Sequence, residues 1–235
     1  MIYGLIPVGG KGVRLGLPYS KEMLPQKNYN YYNPVINHLV EKMEAAGAEE
    51  IIFVHGLEIK QDVLSYFKDK KYRHLTQITA GFSRVLGDFY QEVTLNDEDK
   101  VLFGLPDTVF DSNLFMEMLY LPGMVCGLFK TDPRTKVDRL DNSKTQFQIK
   151  TEKTNDNCDW FWGVLKFDAS TLQSIMYNHD IDNYSEIGHI LNIYDRQYVY
   201  GDTFFDLGTW ENYNKYLNTT PNYPQHDSNP TNLES

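Results

Sequence analysis

Hydrophobic positions along the chain fall into two alternating kinds of segment. Residues 2–8, 50–55, 100–105, 124–131 and 160–167 are short apolar or β-branched runs bounded by Gly, Pro, Asn or Asp, and these spans predict strands. Between the first two, residues 34–46 place Val35, Ile36, Leu39, Val40 and Met43 on one stripe at helical spacing, with Gly47 as the stop. Further helical patterns fall at 59–68, 112–119, 170–176, 187–193 and 210–217. Such alternation predicts an α/β fold whose sheet is covered by helices on both faces. No internal repeat and no Gly/Ser linker divides the chain, so residues 1–217 read as one domain. Residues 218–235 are rich in Asn, Pro, Thr and Ser without an apolar period, and are expected to fray.

Composition narrows the class of protein. At 235 residues, with 41% hydrophobic and 23% charged content, the chain is long enough for one substantial core. Met1 leads straight into the apolar run 2–8 with no basic leader and no cleavage site, so that run reads as a first strand rather than an export signal. No apolar run approaches the roughly 20 residues of a membrane-spanning helix, and only Cys126 and Cys158 are present to form a disulfide. A cytoplasmic protein with no membrane partner is expected. A net charge of -10 argues against nucleic acid as a partner. Locally the balance reverses: residues 1–27 hold Lys11, Arg14, Lys21 and Lys27 against Glu22 alone, four positive charges less one, a surplus of +3. That surplus marks either a focused anion site or a solvated basic loop.

The first predicted strand ends in Gly9, Gly10 and Gly12, followed by Arg14. Glycines let the backbone approach a ligand and turn successive N–H groups toward phosphate oxygens, and Arg14 and Lys21 would supply countercharge. Two other glycine loops are excluded by the letters. A P-loop needs Gly-Lys-Ser/Thr where the chain reads Gly10-Lys11-Gly12, and a dinucleotide fingerprint counted from Gly10 and Gly12 needs a third glycine where Leu15 stands. Further on, Asp107 follows the run 100–105 at the carboxyl end of a predicted strand, where open α/β sheets place their ligands. The six histidines show no metal-ligand spacing, and no Gly-x-Ser-x-Gly or Cys/His arrangement supplies a covalent nucleophile.

Gly9 to Leu15, followed by Ser20-Lys21-Glu22-Met23-Leu24-Pro25, resembles the signature of the nucleotidyltransferases that activate sugar phosphates, choline phosphate and related compounds. That signature is Gly-Gly-x-Gly-x-Arg-Leu and then Pro-Lys-x-x-Leu-Pro. Ser20 departs from the usual proline, and Pro7-Val8 from the common Leu-Ala or Ala-Ala. The resemblance implies a three-layer αβα Rossmann-like fold with a mixed, mostly parallel central sheet. It implies Arg14 and Lys21 as the catalytic cations, and Val8, Gly9, Gly10 and Gly12 around the nucleotide. It also likens 206–209, Asp-Leu-Gly-Thr, to the second acidic motif Asp-x-Gly-Thr, so that Asp107 and Asp206 would hold Mg2+. Asp202 competes with Asp206, and Thr209 has an alternative role as a helix cap.

The same resemblance assigns Gln77 and Gly81 to the base, since an amide can read its donor and acceptor edge. It assigns Lys150 or the dipeptide Glu152-Lys153, with Trp162 and Gly163, to the acceptor. The alignment leaves the two lysines as alternatives. The implied reaction joins a nucleoside triphosphate to a phosphorylated small molecule and releases pyrophosphate, CTP or dTTP being the donor and compactness favouring CTP. Oligomeric state stays open, with a homo-oligomer among the partners considered. Two rival readings are a nucleotide-sugar-dependent glycosyltransferase of similar fold and a non-catalytic nucleotide-binding subunit.

Overall fold

A computed structural model describes residues 1–10, 15–69, 71–77, 83–130, 132–178 and 186–219. Strand β1 (Ile2–Pro7) lies between β2 (Glu50–His55) and β4 (Lys100–Gly104), parallel to both, and β3 (Tyr72–Thr76) extends the sheet beyond β2. Across β4 lies β9 (Asn157–Asp168), antiparallel to β4 and to β6 (Met124–Lys130), and β10 (Arg196–Tyr200) forms the far edge parallel to β6. A ribbon of β7 (Val137–Asp141) and β8 (Phe147–Thr151) leaves the main path on the amino-terminal half of β9. Separately, β5 (Thr108–Phe110) pairs with β11 (Phe204–Asp206). The expected mixed, mostly parallel sheet is therefore observed.

Period-two alternation divides the core into two layers. Leu5, Ile52, Val54, Val101 and Phe103 face α3 (Arg84–Glu92), α5 (Ala169–Asn178) and α6 (Ile187–Leu191). Ile6, Ile51, Phe53 and Leu102 face α1 (Val35–Ala45), α2 (Gln61–Tyr66) and α4 (Leu114–Met118). A third, smaller cluster joins α7 (Trp210–Asn218) to the amino-terminal signature segment through Leu15, Leu24, Tyr213 and Tyr216. Gly47 ends α1 at a φ of 91°, the left-handed conformation that a glycine adopts without a steric penalty.

The five expected strands and six expected helices all appear, with ends shifted by a few residues. Sequence periodicity did not anticipate β3, β5, β7, β8, β10, β11 or α3. Most of these strands are half-buried or only three residues long, and α3 carries Gly87 in its middle, which weakens the helical signal. The tail expected to fray from residue 218 begins later, since Asn218 is the last residue of α7 and Thr219 its cap, and residues 220–235 lie outside the described residues.

On β2 and β3 two imidazoles make a chain. The Lys60 N–H donates to His55 Nδ1 at 3.0 Å, so His55 Nε2 carries the proton it gives to His74 Nδ1 at 2.9 Å, and His74 Nε2 donates to the Phe67 carbonyl at 2.8 Å. Every ring nitrogen is satisfied with both rings neutral. Burial, then His74 and Lys60 nearby, pushes the His55 pKa from 6.5 down to about 4. An unfolded His55 takes a proton below about pH 6.5 that the folded ring refuses until about pH 4. Folding stability is thus complete above that window and is lost as pH falls through it. Thermal unfolding followed from pH 7 to pH 4 should show this decline, and His55→Gln should flatten part of it, with His38, also pushed to about 4 by burial, supplying another part. An unchanged slope in His55→Gln would remove the imidazole chain from the account.

Candidate active site

Parallel strands β1, β2 and β4 end on the same side of the sheet, and the segments that follow them build the candidate site. After β1, Val8 still pairs with β2 by donating to the Val54 carbonyl at 2.8 Å, and its side chain is fully buried. Gly9 then passes Gly56 so closely that a Cβ on it would stand 3.2 Å from the Gly56 nitrogen. At Gly10 a Cβ would meet Lys21 Cε at 3.3 Å, so the missing side chain is the space that the lysine occupies. Gly12 and Arg14 lie outside the described residues, as does Gly81.

Lys21 opens a short 3-10 turn, Lys21–Met23, and its ammonium donates to Asp107 Oδ2. Burial pulls this ammonium down, but Asp107, Glu22 and Asp206 together outweigh burial and hold its pKa above the usual lysine value. The charge on Lys21 is therefore secure at neutral pH. Ser20, where the resemblance expects proline, has a specific task. Its N–H and hydroxyl both donate to Asp62, at 2.7 and 2.8 Å, and pin the residue before Lys21 to α2.

Glu22 is completely buried beside Lys21, and burial raises its pKa against the opposing pull of Lys60. The Lys60 ammonium donates to both Glu22 oxygens, at 3.1 and 3.0 Å, and to the Gly10 carbonyl at 2.7 Å. Its three protons thus tie the glycine turn to the 3-10 turn. The backbone of the same residue is held by His55, so the imidazole chain reaches the site through Lys60.

The two acids arrive from distant parts of the chain. Asp107 precedes β5 and Asp206 ends β11, and the antiparallel register sets Asp206 opposite Thr108. Leu207 donates its N–H to the Asp107 carbonyl at 2.8 Å, which fixes the two segments at this point. Residues directly opposite in such a ribbon lie about 4.5–5.5 Å apart at Cα. Asp206 Oδ1 also accepts the Gly208 N–H at 2.9 Å, while Thr209 caps α7 by accepting the Asn212 N–H at 3.2 Å. The helix cap is thus Thr209, three residues beyond Asp206, and the acid does not serve as the cap.

Two clefts flank Lys21 and Asp107. One, of about 860 Å³, is lined by Gly9, Gly10, Gly56, Gln77 and Lys60 together with that pair. The other, of about 830 Å³, is lined by Asp206, Arg134, Asp138, Lys150 and Trp162, again with that pair. Gln77 is anchored by its backbone N–H, which donates to the His55 and Gly56 carbonyls at 3.2 Å each. Of the two candidate lysines, Lys150 faces the second cleft, whereas Lys153 pairs with Asp159 at 2.7 Å and does not line it. Glu152 lies outside the lining as well, 3.8 Å from Lys136. Gly163 lies against the core instead: a Cβ there would be 2.7 Å from both Phe129 and Phe204.

Sequence reasoning passed over Lys60, Glu22, Gly56, Arg134 and Asp138. Glu22 stood inside the quoted signature and Gly56 directly after an expected strand, so both carried a positional signal. Arg134 and Asp138 carried none.

No family model matches the chain, and no curated protein does either. The fold is shared with solved structures. A Bacillus anthracis protein described as a glucose-1-phosphate thymidylyltransferase, in complex with sucrose, matches with a TM-score of 0.75 at 22% identity over 92% of this chain and 94% of that one. HddC from Yersinia pseudotuberculosis matches with a TM-score of 0.68 at 18% identity, covering 92% of this chain and 98% of that chain. The HddC complex with GMP-PN gives a TM-score of 0.67 at the same identity and coverage. The likeness is one of fold: the chain shares with these proteins a mixed sheet covered by helices on both faces.

Lys60→Met should strand the Glu22 carboxylate in the interior and cost about 3–5 kcal/mol of stability in denaturant unfolding. Adding Glu22→Gln should recover much of that loss. The Gly10 carbonyl stays unheld in both variants, so amide hydrogen exchange at Gly9 and Gly10 should remain faster than in the parent protein by about tenfold. Parent-like exchange in the double variant would show that Lys60 does not organise this segment.

Proposed function

We propose that the chain is a nucleotidyltransferase, with residues 1–217 as its catalytic domain, that transfers a nucleoside monophosphate from a triphosphate to a sugar phosphate and releases pyrophosphate. One observation carries the reading: Lys21 and Asp107, bonded to each other, line both clefts. A triphosphate along the glycine turn and an acceptor in the second cleft would meet at that pair. The structural neighbour described as a glucose-1-phosphate thymidylyltransferase supports a sugar phosphate as acceptor. So does the lining of the second cleft, where paired charges such as Arg134 with Asp132 and Lys150 with Glu186 offer donors and acceptors to hydroxyl groups. For the donor, CTP or dTTP is proposed, with Gln77 reading the base edge.

The acceptor phosphate attacks the α-phosphorus in line. The bond from that phosphorus to the α–β bridging oxygen breaks, and pyrophosphate leaves with its electrons. A phosphate monoester has a second pKa near about 6, so the attacking oxygen is already ionised at neutral pH and no general base is needed. Lys21, kept charged by three carboxylates, faces the charge that builds up as pyrophosphate departs. Arg14, outside the described residues, is assigned by the resemblance to the β- and γ-phosphates.

Asp107 and Asp206 suit magnesium: both are hard oxygen donors at neighbouring points of one ribbon, and a cation, the Lys21 ammonium, already complements Asp107. Among the described residues no larger group of acids, histidines or cysteines completes a protein-only metal cluster. Two carboxylates with the remaining ligands from phosphate and water is the arrangement that magnesium favours. Bound there, the metal would neutralise triphosphate charge.

Purified protein incubated with each triphosphate, magnesium and a panel of phosphorylated acceptors should release pyrophosphate. Lys21→Ala, Arg14→Ala, Asp107→Ala and Asp206→Asn should each lower kcat/KM by about 10²-fold or more, with circular dichroism unchanged. Near-normal pyrophosphate release by Asp107→Ala would count against the assignment, and binding without turnover across the panel would favour a regulatory subunit.

A further inference from the structure

The wall of the second cleft contains a buried carboxylate that the proposed reaction does not use. Asp138 lies on β7, is 4% exposed, and lines the cleft. Its Oδ1 accepts the backbone N–H of Lys150 at 3.0 Å, and its Oδ2 accepts the indole N–H of Trp162 at 3.1 Å. From a third direction α6 presses on it: a Cβ at Gly188 would stand 2.5 Å from Oδ2. One carboxylate thus joins β8, β9 and α6.

The local register explains why β8 needs this partner. Val137 pairs with Thr151 and Arg139 with Gln148, so Asp138 alone faces both Ile149 and Lys150, and the ladder carries an extra residue on β8. Lys150 takes the strain, with a φ of 47° in the region that side chains other than glycine seldom occupy. A bulge leaves an N–H without its ladder partner, and Asp138 accepts that N–H. The result is a lysine in an unfavourable backbone conformation whose side chain borders the cleft, 3.5 Å from Glu186. Observed strain of this kind persists only where the surroundings hold it.

We propose that Asp138 is a positioning residue: by holding the Lys150 bulge and the Trp162 indole together, it aims the Lys150 ammonium at the anionic group of the acceptor. This rests on the reading of the second cleft as the acceptor site. Asp138 itself does not touch the reacting atoms. Both of its oxygens serve N–H donors, so the conservative change to asparagine keeps the volume but must turn an NH2 group toward one of them.

The first test needs no turnover. Inorganic phosphate is titrated into the protein and followed by the amide signals of Lys150 and of Gly9 and Gly10, the glycine turn serving as an internal control. In the parent protein both regions should respond. In Asp138→Asn the apparent Kd at Lys150 should weaken by about tenfold while the response at Gly9 and Gly10 is unchanged. Lys150→Gly relaxes the backbone strain but removes the ammonium. In pyrophosphate-release assays both single variants should raise the acceptor KM and leave the triphosphate KM alone. If Asp138 acts through Lys150, adding Asp138→Asn to Lys150→Gly should raise the acceptor KM by less than about twofold further. Parent protein that shows no response at Lys150 would overturn the acceptor-site reading and the proposal with it. A parent-like response in Asp138→Asn, or effects of the two substitutions that multiply, would overturn the proposal alone. A uniform loss at both regions would reduce Asp138 to a stability role.

Discussion

The candidate site depends on a six-residue antiparallel ribbon. Thr108–Phe110 and Phe204–Asp206 are nearly a hundred positions apart, and pairing between them brings Asp206 opposite Thr108 and the Leu207 N–H onto the Asp107 carbonyl. Closing so long a loop carries an entropic cost that six residues of backbone pairing do not offset alone. Packing supplies the rest. Phe204 lies against Phe129 and Phe161, with ring centroids 4.9 and 4.8 Å away, and Val109 and Leu207 join Leu15, Leu24, Tyr213 and Tyr216 in a shared apolar cluster. The same packing fixes α7 to the signature segment, where Trp210 donates to the Leu15 carbonyl at 2.9 Å and Tyr213 to the Pro25 carbonyl at 2.8 Å. The acids, the 3-10 turn and the carboxyl-terminal helix are one cooperative unit. Loosening the ribbon would separate the acids and release Lys21 at the same time.

Buried charge is distributed in a way that separates holding from reacting. Lys60 and Glu22 are both well buried and satisfy each other and the Gly10 carbonyl, so their charges shape the turn. Lys21 and Asp107 are nearly as buried but border open space on two sides. Lys60 borders the first cleft as well, but its protons are taken by Glu22 and the Gly10 carbonyl, whereas the Lys21–Asp107 pair borders both clefts. Arg139 plays the holding part on the other side: fully buried, it donates to the Asp132 and Thr135 carbonyls at 2.7 and 3.1 Å and so fixes the segment that carries Arg134 to the second cleft.

Legibility in the sequence followed the type of constraint. Fully buried strands and long amphipathic helices were readable because burial on both faces, or on one stripe, leaves a periodic trace; β2 and α1 are the clearest cases. The short ribbons left none, since three residues contain too few periods to register, although β5 and β11 are the elements that assemble the acids. Gly9, Gly10 and Lys21 were legible because close backbone approach and local charge demand particular residue types in one short segment. Asp138 was invisible: its importance comes from a bulge in the facing strand and an indole twenty-four positions away, neither of which a one-dimensional pattern records. Gly163 shows what a resemblance leaves unsaid about surroundings. The resemblance places it with the acceptor, and two phenylalanine rings lie where its side chain would stand.

A chain of net charge -10 is a poor long-range attractor for a triphosphate, and the site must work at short range. The structure does this by neutralising charges in place rather than by accumulating a basic surface. Lys21 is surrounded by Asp107, Glu22 and Asp206, which keep it protonated and more than offset its field at a distance. The second cleft repeats the device with Arg134 beside Asp132, Lys150 beside Glu186 and Lys215 beside Glu211. Such paired charges present directional donors to a ligand that has entered but attract polyanions only weakly from solution. On the proposed reading, selectivity then rests on geometry at the junction of the two clefts, where a triphosphate and a phosphorylated partner must both fit against one lysine before either gains much from it.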